Sequence, residues 1–520
     1  MREGDARERQ VRMTHADSVL VLGADIEGLA AAATLAAAGR TVRVIDERQR
    51  PGGLAARFPV GDGYTAPGLL TECALVRRAL LADLHLERAG LAWRDAESAV
   101  HVVREGTPPI AIRRDRVDGV PAADAEAYRE WRAYLARVGG FISQVLDRAP
   151  PAVDEPGIKD LLELAMRGLR LRSLGDSDMM ELLRIVTLPV RDWLSETFSS
   201  PALQAGLAAP ILTGTVVGPR AAGTTALLLM REVARGGEPV GGLAGLVDAL
   251  VARCEELGVA FQFGTRPTEI LVDAGRRRVT GVRCGERRFE GTAVISALDP
   301  ARTLLDLVEP GLLPHHVEWD LRGWRRRGDT AVLLAACASP PSFGEPNGDD
   351  IERLITARSP DELERAADAL KYGALPDEPC LEVRIWRGPP HAPAGGATLV
   401  VHVHGVAHGG RDGWGDEARD LLCGRVVDTL ERLSPGLRGQ LQGTSLHTPC
   451  DLESSLGMPG GHLYLGELAL DQLWLQRPSL ALSRYGTPIA GLFLAGGGSH
   501  PGGPYAGGAG VLGARRALRG

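Results

Sequence analysis

Short apolar runs alternate with an alanine-rich helical stretch near the start of the chain. Ser18–Leu22 and Thr41–Ile45 are apolar runs of the kind that form buried parallel strands, and the alanine-rich stretch between them ends at Gly39. A glycine is the usual residue just after the last turn of a helix. Two parallel strands joined by a helix form a βαβ crossover. The pattern therefore predicts a βαβ unit at the N-terminal end of an α/β fold.

The spacing of the apolar positions changes farther along the chain. From about residue 128 to 230 they recur at three- and four-residue intervals, which predicts a mostly helical region. The remaining pattern predicts helices over 243–257 and 416–433, strands near 260–263, 269–272 and 293–296, and strands alternating with Pro- and Gly-rich loops over 331–406. A chain of 520 residues is too long for one hydrophobic core, so we expect two or three domains.

The composition argues against several classes of protein. A net charge of −7 is unlike a nucleic-acid-binding protein, which carries a concentrated basic face. Seven scattered cysteines without a CxxC pair indicate reduced thiols rather than a disulfide framework. No apolar run approaches the roughly 18 residues that a membrane span needs. Residues 1–16 are charged and lack an apolar stretch, which predicts a disordered tail rather than a signal peptide. We expect a soluble cytoplasmic protein.

Glycines after the first predicted strand have the spacing of a dinucleotide-binding turn. Gly23 stands where the chain must turn tightly from strand to helix, and Gly28 stands where the helix packs closely on the strand. Asp46 closes the second strand, 23 residues after Gly23, where an acid accepts hydrogen bonds from the adenosine ribose. Strand, helix, strand and terminal acid in this register predict a dinucleotide-binding site.

Two further segments carry a family resemblance. The stretch VIDERQRPGG, which ends in Gly52-Gly53, resembles the second half of the flavin-binding fingerprint of proteins of the glutathione-reductase and amine-oxidase type. The stretch GLFLAGGGSHPGG (491–503) resembles the closing flavin-contact motif of the phytoene desaturase family, with Ser499 where threonine is usual. The chain is thus similar to FAD-dependent oxidoreductases of the phytoene desaturase and amine-oxidase superfamily.

The resemblance extends over most of the chain. The segments 198–207, 239–250 and 447–478 are similar to the branch of pyridine nucleotide-disulphide oxidoreductase domain-containing protein 2 and its bacterial relatives. It implies a discontinuous Rossmann-like FAD-binding domain (17–75, 235–310 and 488–520) and an inserted α+β substrate domain with a helical region (76–234 and 311–487). The candidate cofactor-binding residues are Gly23, Ala24, Asp25, Gly28, Asp46, Glu47, Arg48, Gly52, Gly53, Pro267, Gly498, Ser499 and His500.

Three residues depart from the pattern that this resemblance implies. Asp25 replaces the second glycine, where the backbone should meet the pyrophosphate; two unit charges roughly 5 Å apart repel by about 3 kcal/mol at an effective dielectric constant of about 20. Glu27 places another acid in the first helical turn, where it would compete with a phosphate for the positive end of the helix. Pro267 stands where the family has a valine whose N–H binds the adenine, and proline has no N–H. These departures predict weakened FAD binding.

Several histidines are candidates for other roles. His402 and His404 share one face of a predicted strand and His408 follows, a spacing that can bind a metal, but no further ligand is evident and we expect no metal. The resemblance places that strand along the substrate domain. The candidate substrate-lining residues are His402, His404, His462 and Asp471, although a helix cap or a core hydrogen bond would explain Asp471 equally well. His500 is a weak catalytic candidate, because its usual role in the family is structural.

These observations leave three hypotheses for function. The first is an FAD-dependent oxidoreductase of the desaturase or dehydrogenase type, in which a hydride leaves a C–H bond of a hydrophobic small molecule for the flavin N5 and the cofactor performs the difficult step. The second is a fold that has lost FAD and catalyses an isomerisation or cyclisation. The third is a non-catalytic scaffold for a partner protein. Peripheral membrane contact through the amphipathic stretch 161–171 is an alternative to burial of that helix.

Overall fold

A computed structural model describes residues 18–153, 157–344 and 350–520. The tail predicted over 1–16 lies outside the described residues. The strands are β1 Ser18–Leu22, β2 Thr41–Ile45, β3 Phe58–Gly61, β4 Tyr64–Ala66, β5 Val100–Arg104, β6 Thr107–Ile112, β7 Val117–Asp118, β8 Ala260–Gln262, β9 Glu269–Asp273, β10 Arg278–Cys284, β11 Arg287–Glu290, β12 Ala293–Ser296, β13 Thr330–Cys337, β14 Arg353–Ile355, β15 Leu381–Arg387, β16 Ala397–His404, β17 Leu441–His447 and β18 Leu492–Leu494.

The helices of the described residues are α1 Ile26–Ala37, α2 Arg78–Leu81, α3 Ala122–Leu146, α4 Ile158–Arg172, α5 Asp176–Ile185, α6 Val190–Thr197, α7 Pro201–Leu212, α8 Thr224–Ala234, α9 Gly242–Glu256, α10 His315–Arg322, α11 Pro360–Lys371, α12 Asp416–Leu433, α13 Leu437–Gln440, α14 Pro449–Leu456 and α15 Gly508–Leu518. Seven of these helices, α3 to α9, follow one another between β7 and β8. Within the described ranges, no helix combines the length and the apolar character that crossing a bilayer requires.

The first sheet is parallel throughout and has the strand order β18-β12-β1-β2-β8. It combines strands from the beginning, the middle and the end of the chain. Its central strand β1 and the adjacent strand β2 are the two apolar runs of the βαβ unit, and α1 between them is buried along most of its length. Both the strand bounds of the predicted unit and the parallel pairing agree with the sequence pattern.

A larger mixed sheet has the order β17-β13-β16-β15-β14-β5-β6-β7. The alternation of strands and loops predicted over 331–406 supplies β13 to β16, but the same stretch also contains α11, which the pattern did not predict. Ser359 precedes this helix, Pro360 opens it, and its first turn contains Asp361 and Glu362. These are all residue types that favour a helix N-terminus.

The helical region over α3 to α8 has a buried and an exposed part. Helix α7 is buried on all sides, and α3 packs against α8. Helix α4, in contrast, contains no buried residue. The periodicity of 158–172 therefore predicts a helix correctly, but this helix does not bury its apolar stripe.

The last helix, α15, packs against α1 with their first turns side by side. A Cβ atom added at Gly510 would lie 2.1 Å from the carbonyl oxygen of Glu27, so only glycine allows the two backbones to approach this closely. The packing brings the C-terminal segment to the same end of the parallel sheet as the turn after β1.

Candidate cofactor cleft

The turn between β1 and α1 requires both of its glycines. Gly23 has a φ of +96°, and its N–H donates to the carbonyl of Ile45 at 2.9 Å. A Cβ atom at Gly28 would lie 2.0 Å from the carbonyl oxygen of Gly23. The backbone thus turns sharply at the carboxyl end of the sheet, which is where open α/β sheets bind their ligands.

Asp46, at the end of β2, is bonded entirely within the protein. Its carboxylate accepts from the N–H of Ala24 at 2.5 Å and of Arg48 at 2.7 Å. The guanidinium of Arg48 adds bonds from Nε at 2.9 Å and from a terminal nitrogen at 2.7 Å. The acid expected to face a ribose is therefore held by a cation two residues away, a pairing that the sequence motif does not show.

The Gly52-Gly53 pair lies against the same turn. The N–H of Gly52 donates to the carbonyl of Ala24 at 2.7 Å, and both glycines have positive φ angles, 108° and 57°. A Cβ atom at Gly53 would lie 2.5 Å from the Arg48 guanidinium. The glycine pair therefore allows the Arg48 side chain to lie between the turn after β1 and the loop that contains Gly52 and Gly53.

Asp25 caps its own helix. One carboxylate oxygen accepts from the N–H of Gly28 at 2.9 Å, so the side chain occupies the positive end of α1. Burial raises the pKa of Asp25, and the charge of Arg48 opposes that shift. The carboxylate thus makes the contact that a phosphate would make at this helix end.

Glu27 caps a different helix from the one the sequence suggests. Its carboxylate accepts from the N–H groups of Gly507 at 2.7 Å and Gly510 at 2.6 Å, in the first turn of α15. Burial raises the pKa of Glu27 to about 8, although the backbone hydrogen bond from Gly510 lowers it. The expected competition at α1 is therefore not what the structure shows; Glu27 caps the start of α15 with a carboxyl group that is mostly protonated at neutral pH.

The segment Gly496–Gly503 contains two buried polar atoms with no hydrogen-bond partner among the described residues. They are the Ser499 hydroxyl and the Nδ1 atom of His500. The Nε2 atom of His500 donates to the carbonyl of Val145 at 2.9 Å, which ties the segment to α3. Burial lowers the pKa of His500 to about 4, so the imidazole is neutral at physiological pH. Gly498 lies in the same segment.

The cleft between these segments is narrow. Its volume is about 90 Å³, compared with roughly 300–1,000 Å³ for most small-molecule sites. Asp25, Glu27, Arg48 and Glu72 are its charged lining residues, whereas its apolar lining includes Leu54, Leu70, Leu243, Leu463 and Leu465, with Tyr464 beside them. A dinucleotide would have to displace some of these side chains.

A second cavity of about 620 Å³ adjoins the nucleotide end of the cleft. Glu47 lies on its wall and pairs with Arg302 at 2.7 Å and Arg266 at 3.6 Å. Burial opposes ionisation of Glu47, but the hydrogen bonds from Arg302 hold its pKa below the usual range. Pro267 follows Arg266, is buried, and offers no N–H at the position where an adenine donor is expected.

The candidate substrate-lining residues do not line the cleft. His402 Nε2 donates to the carbonyl of Leu69 at 2.7 Å, and His404 is buried on the same strand. His462 holds its own turn, because its Nδ1 accepts from the N–H of Tyr464 at 3.0 Å. Asp471 is exposed and pairs with Arg325 at 2.6 Å. Their proposed contact with a substrate stays a prediction, and no metal-binding cluster of His, Cys, Asp or Glu occurs among the described residues.

One buried charge cluster has no counterpart in the sequence analysis. Glu72, which lines the cleft, pairs with Arg231 at 2.8 Å and Arg353 at 3.1 Å, and Arg353 also reaches Glu382 at 3.5 Å. Burial opposes ionisation, but Arg353 and Arg231 hold the pKa of Glu72 well below its usual range. The members come from four distant stretches, so spacing along the chain gave no indication of them.

The backbone of the cleft fits a dinucleotide, but two acidic side chains at the helix ends disfavour the binding of its pyrophosphate. The glycine turns and the position of Asp46 at the end of β2 suit a bound dinucleotide, whereas Ser499 and His500 are buried beside the cleft and do not line it. Asp25 and Glu27 place carboxylates on both helix N-termini that a pyrophosphate could use. The backbone of the site therefore fits a dinucleotide, and these two acids occupy the helix ends that its pyrophosphate would use.

Known proteins share this architecture. A family model described as flavin containing amine oxidoreductase matches residues 28–517. Pyridine nucleotide-disulfide oxidoreductase domain-containing protein 2 of Rattus norvegicus is 27% identical, over 94% of this chain and 91% of its own length. Phytoene desaturase (lycopene-forming) of Pseudescherichia vulneris is 27% identical, over 93% of this chain and 95% of its own.

Solved structures show the same fold. An oxidoreductase from Methanosarcina mazei has a TM-score of 0.58 at 17% identity, covering 97% of this chain and 100% of that one. A triple mutant of putrescine oxidase, redesigned in its cofactor binding, has a TM-score of 0.62 at 16% identity, covering 97% and 98%. The family resemblance and the fold class inferred from the sequence are confirmed.

Proposed function

The chain belongs to the family described as flavin containing amine oxidoreductase, and from this premise we propose that it is an FAD-dependent oxidoreductase acting on a hydrophobic small molecule. The observation that carries the proposal is the meeting of three distant segments at one end of the parallel sheet. These are the Gly23–Gly28 turn, the loop from Asp46 to Gly53, and the stretch 496–503.

The residues that would hold FAD follow from this arrangement. The turn at Gly23 and Ala24 would face the pyrophosphate, Asp46 the ribose, and Ser499 and His500 the flavin end. When bound, the flavin supplies an acceptor for a hydride from a substrate C–H bond. His500 is neutral and held by Val145, so its role is to position the segment rather than to transfer a proton.

The lining of the cleft supports a hydrophobic substrate. Apart from its four charged side chains, the wall is formed largely by leucines and small residues, which favour apolar ligands. Relatives named phytoene desaturase and hydroxyneurosporene desaturase support desaturation as the reaction type. The buried pairs of Glu72 leave no uncompensated charge at that end of the cleft, because Arg231 and Arg353 neutralise its carboxylate.

An absorbance spectrum of the purified protein, before and after addition of FAD, tests the proposal. We expect the near-ultraviolet and blue bands of a bound flavin, at least after incubation with excess FAD and removal of the unbound fraction. Anaerobic addition of apolar substrates should then bleach the blue band. A protein that stays colourless, together with a colourless Asp25→Gly variant, would contradict FAD dependence.

A second candidate function is a flavin-free reaction on the same fold. The carboxylates that occupy both helix N-termini, and the cleft of about 90 Å³, favour it. It differs from the first candidate in two measurable respects. Neither the wild type nor Asp25→Gly would bind FAD. The substrate would be isomerised or cyclised without being oxidised or reduced.

A further inference from the structure

A cavity of about 820 Å³ lies beside the eight-stranded sheet, away from the cofactor cleft. Its wall is formed by the β5–β6 hairpin, the start of α7, helix α11, the loop before β15 and the end of α12. None of its described lining residues lines the cofactor cleft. Small-molecule sites measure roughly 300–1,000 Å³, so this cavity is large enough for a ligand of its own.

Arg104, at the end of β5, lies on the wall of this cavity without a partner. Its Nε atom is buried and has no hydrogen-bond acceptor among the described residues, and its guanidinium forms no ion pair with any of them. A buried donor without an acceptor costs free energy, and the cost is larger for a charged group than for a neutral one. An anion in the cavity would supply the missing acceptor.

Two further donors lie on the same wall. Arg432, near the end of α12, has no acidic partner within the described ranges, and it donates to the hydroxyl of Thr429 at 3.4 Å. The hydroxyl of Thr356 accepts from the N–H of Leu381 at 2.9 Å, while its own hydrogen is donated to no described residue. The wall therefore offers two uncompensated cations and a hydroxyl donor.

The acids on the wall are mostly engaged by other arginines. The fourth of them, Glu105, is exposed to solvent. The other three are in ion pairs: Glu362 and Glu378 with Arg358 at 2.5 Å and 3.0 Å, and Asp377 with Arg425 at 2.8 Å. Because these carboxylates are neutralised in place, they do not compensate the charges of Arg104 and Arg432.

We propose that this cavity binds a small organic anion. Its phosphate or carboxylate group is bound by Arg104 and Arg432, because the planar guanidinium of arginine matches either group with two parallel hydrogen bonds. A short hydrocarbon body fits the remaining wall, which includes the buried side chains of Val103, Ala366 and Cys380. The inference does not depend on the proposed function, because the cofactor cleft contributes none of the described residues of this wall.

Isothermal titration calorimetry of the full-length protein at low salt tests the proposal. The probes are hexyl phosphate and hexanoate, with hexan-1-ol as the neutral molecule of the same hydrocarbon body. We expect saturable binding of at least one of the anions at millimolar concentration or below, and none of the alcohol. Tighter binding of hexyl phosphate would identify a phosphate ester as the ligand class, and tighter binding of hexanoate a carboxylic acid. Binding of neither anion, or equal binding of the alcohol, would overturn the proposal.

Three variants locate the bound anion. Arg104→Met should weaken binding about tenfold or more, and Arg432→Ala, at an exposed position, about threefold. Arg129→Ala, which removes an exposed arginine on α3, is the matched control and should bind like the wild type. Binding that is unchanged in both cavity variants would place the anion elsewhere, the cofactor cleft included, and would overturn the proposal.

The melting temperature without ligand separates a binding role of Arg104 from a structural one. Since its guanidinium makes no bond to the described residues, Arg104→Met should melt at the same temperature as the wild type or above it. A melting temperature several degrees lower would show that Arg104 stabilises the fold instead, and would contradict its assignment to a ligand. Because Arg432 is exposed, Arg432→Ala remains folded and keeps the titration decisive in that case.

Discussion

Helices α1 and α15 begin side by side at the cleft, and each start is capped by the carboxyl group of an acidic side chain. Asp25 caps α1 from three residues away and is half-buried, whereas Glu27 reaches α15 across nearly the whole sequence and is buried. The local cap can turn away at little cost, because water can replace it. The long-range cap cannot, because its two N–H partners would be left without an acceptor. We therefore expect loss of the Asp25 cap to change mainly the affinity for FAD, and loss of the Glu27 cap to change mainly the stability of the fold.

The largest effect should follow removal of the long-range cap. Glu27→Ala leaves the N–H groups of Gly507 and Gly510 without an acceptor in a buried place, at a cost of about 3 kcal/mol in stability. A fall of several degrees in the melting temperature is the expected result. Glu255→Ala, at an exposed position in α9, is the control and should melt like the wild type. Equal melting of the two variants would mean that Glu27 does not stabilise α15.

The free energy of unfolding should also depend on pH through the titration of Glu27. The pKa of Glu27 is about 8 in the folded protein and about 4.5 in the unfolded chain, so its stabilising contribution is complete below 4.5 and is lost as pH rises through 8. Between about pH 6 and pH 8 the wild type should lose about 2 kcal/mol relative to Glu27→Gln, which does not titrate. Melting curves of both proteins across this range measure the difference; parallel pH profiles would contradict it.

Removal of the local cap should change cofactor affinity instead. Asp25→Gly removes a charge and a side chain from the start of α1. Because the charge of Arg48 offsets part of the repulsion of about 3 kcal/mol, we expect FAD to bind about tenfold more tightly. Stability should change by only a few tenths of a kcal/mol, since glycine is an acceptable N-cap residue. Quenching of flavin fluorescence gives the dissociation constant. Asp25→Asn keeps a capping side chain without the charge, and an affinity equal to that of the wild type would show that charge is not the obstacle.

The smallest effect should come from a position that leaves both helix ends unchanged. Pro267→Val restores a backbone N–H near the nucleotide end and should tighten FAD binding about threefold. The same fluorescence titration measures it. A gain larger than that of Asp25→Gly would show that the adenine end, rather than the two helix N-termini, limits affinity.

The sequence predicts the parts of this molecule that depend on neighbours in the chain. The bounds of β1 and β2, the glycine turn and the position of Asp46 all follow from short-range spacing, and so does α12. The partner of Glu27 and the cluster around Glu72 do not, because their contacts join residues hundreds of positions apart. Helix α4 shows a further limit of prediction from sequence. The periodicity of its apolar residues predicts an apolar stripe, but the polar contacts of the opposite face, which the sequence does not show, orient this stripe toward solvent.

The backbone contact between Gly510 and Glu27 has a consequence for synthesis on the ribosome. The parallel sheet contains β1 from the beginning of the described chain and is completed only when β18 and α15 leave the tunnel. Until then the parallel sheet presents an unpaired edge along β12 and an uncovered face on α1, which are features that promote aggregation of nascent chains. We therefore expect this half of the protein to depend on chaperones during translation until β18 and α15 have emerged.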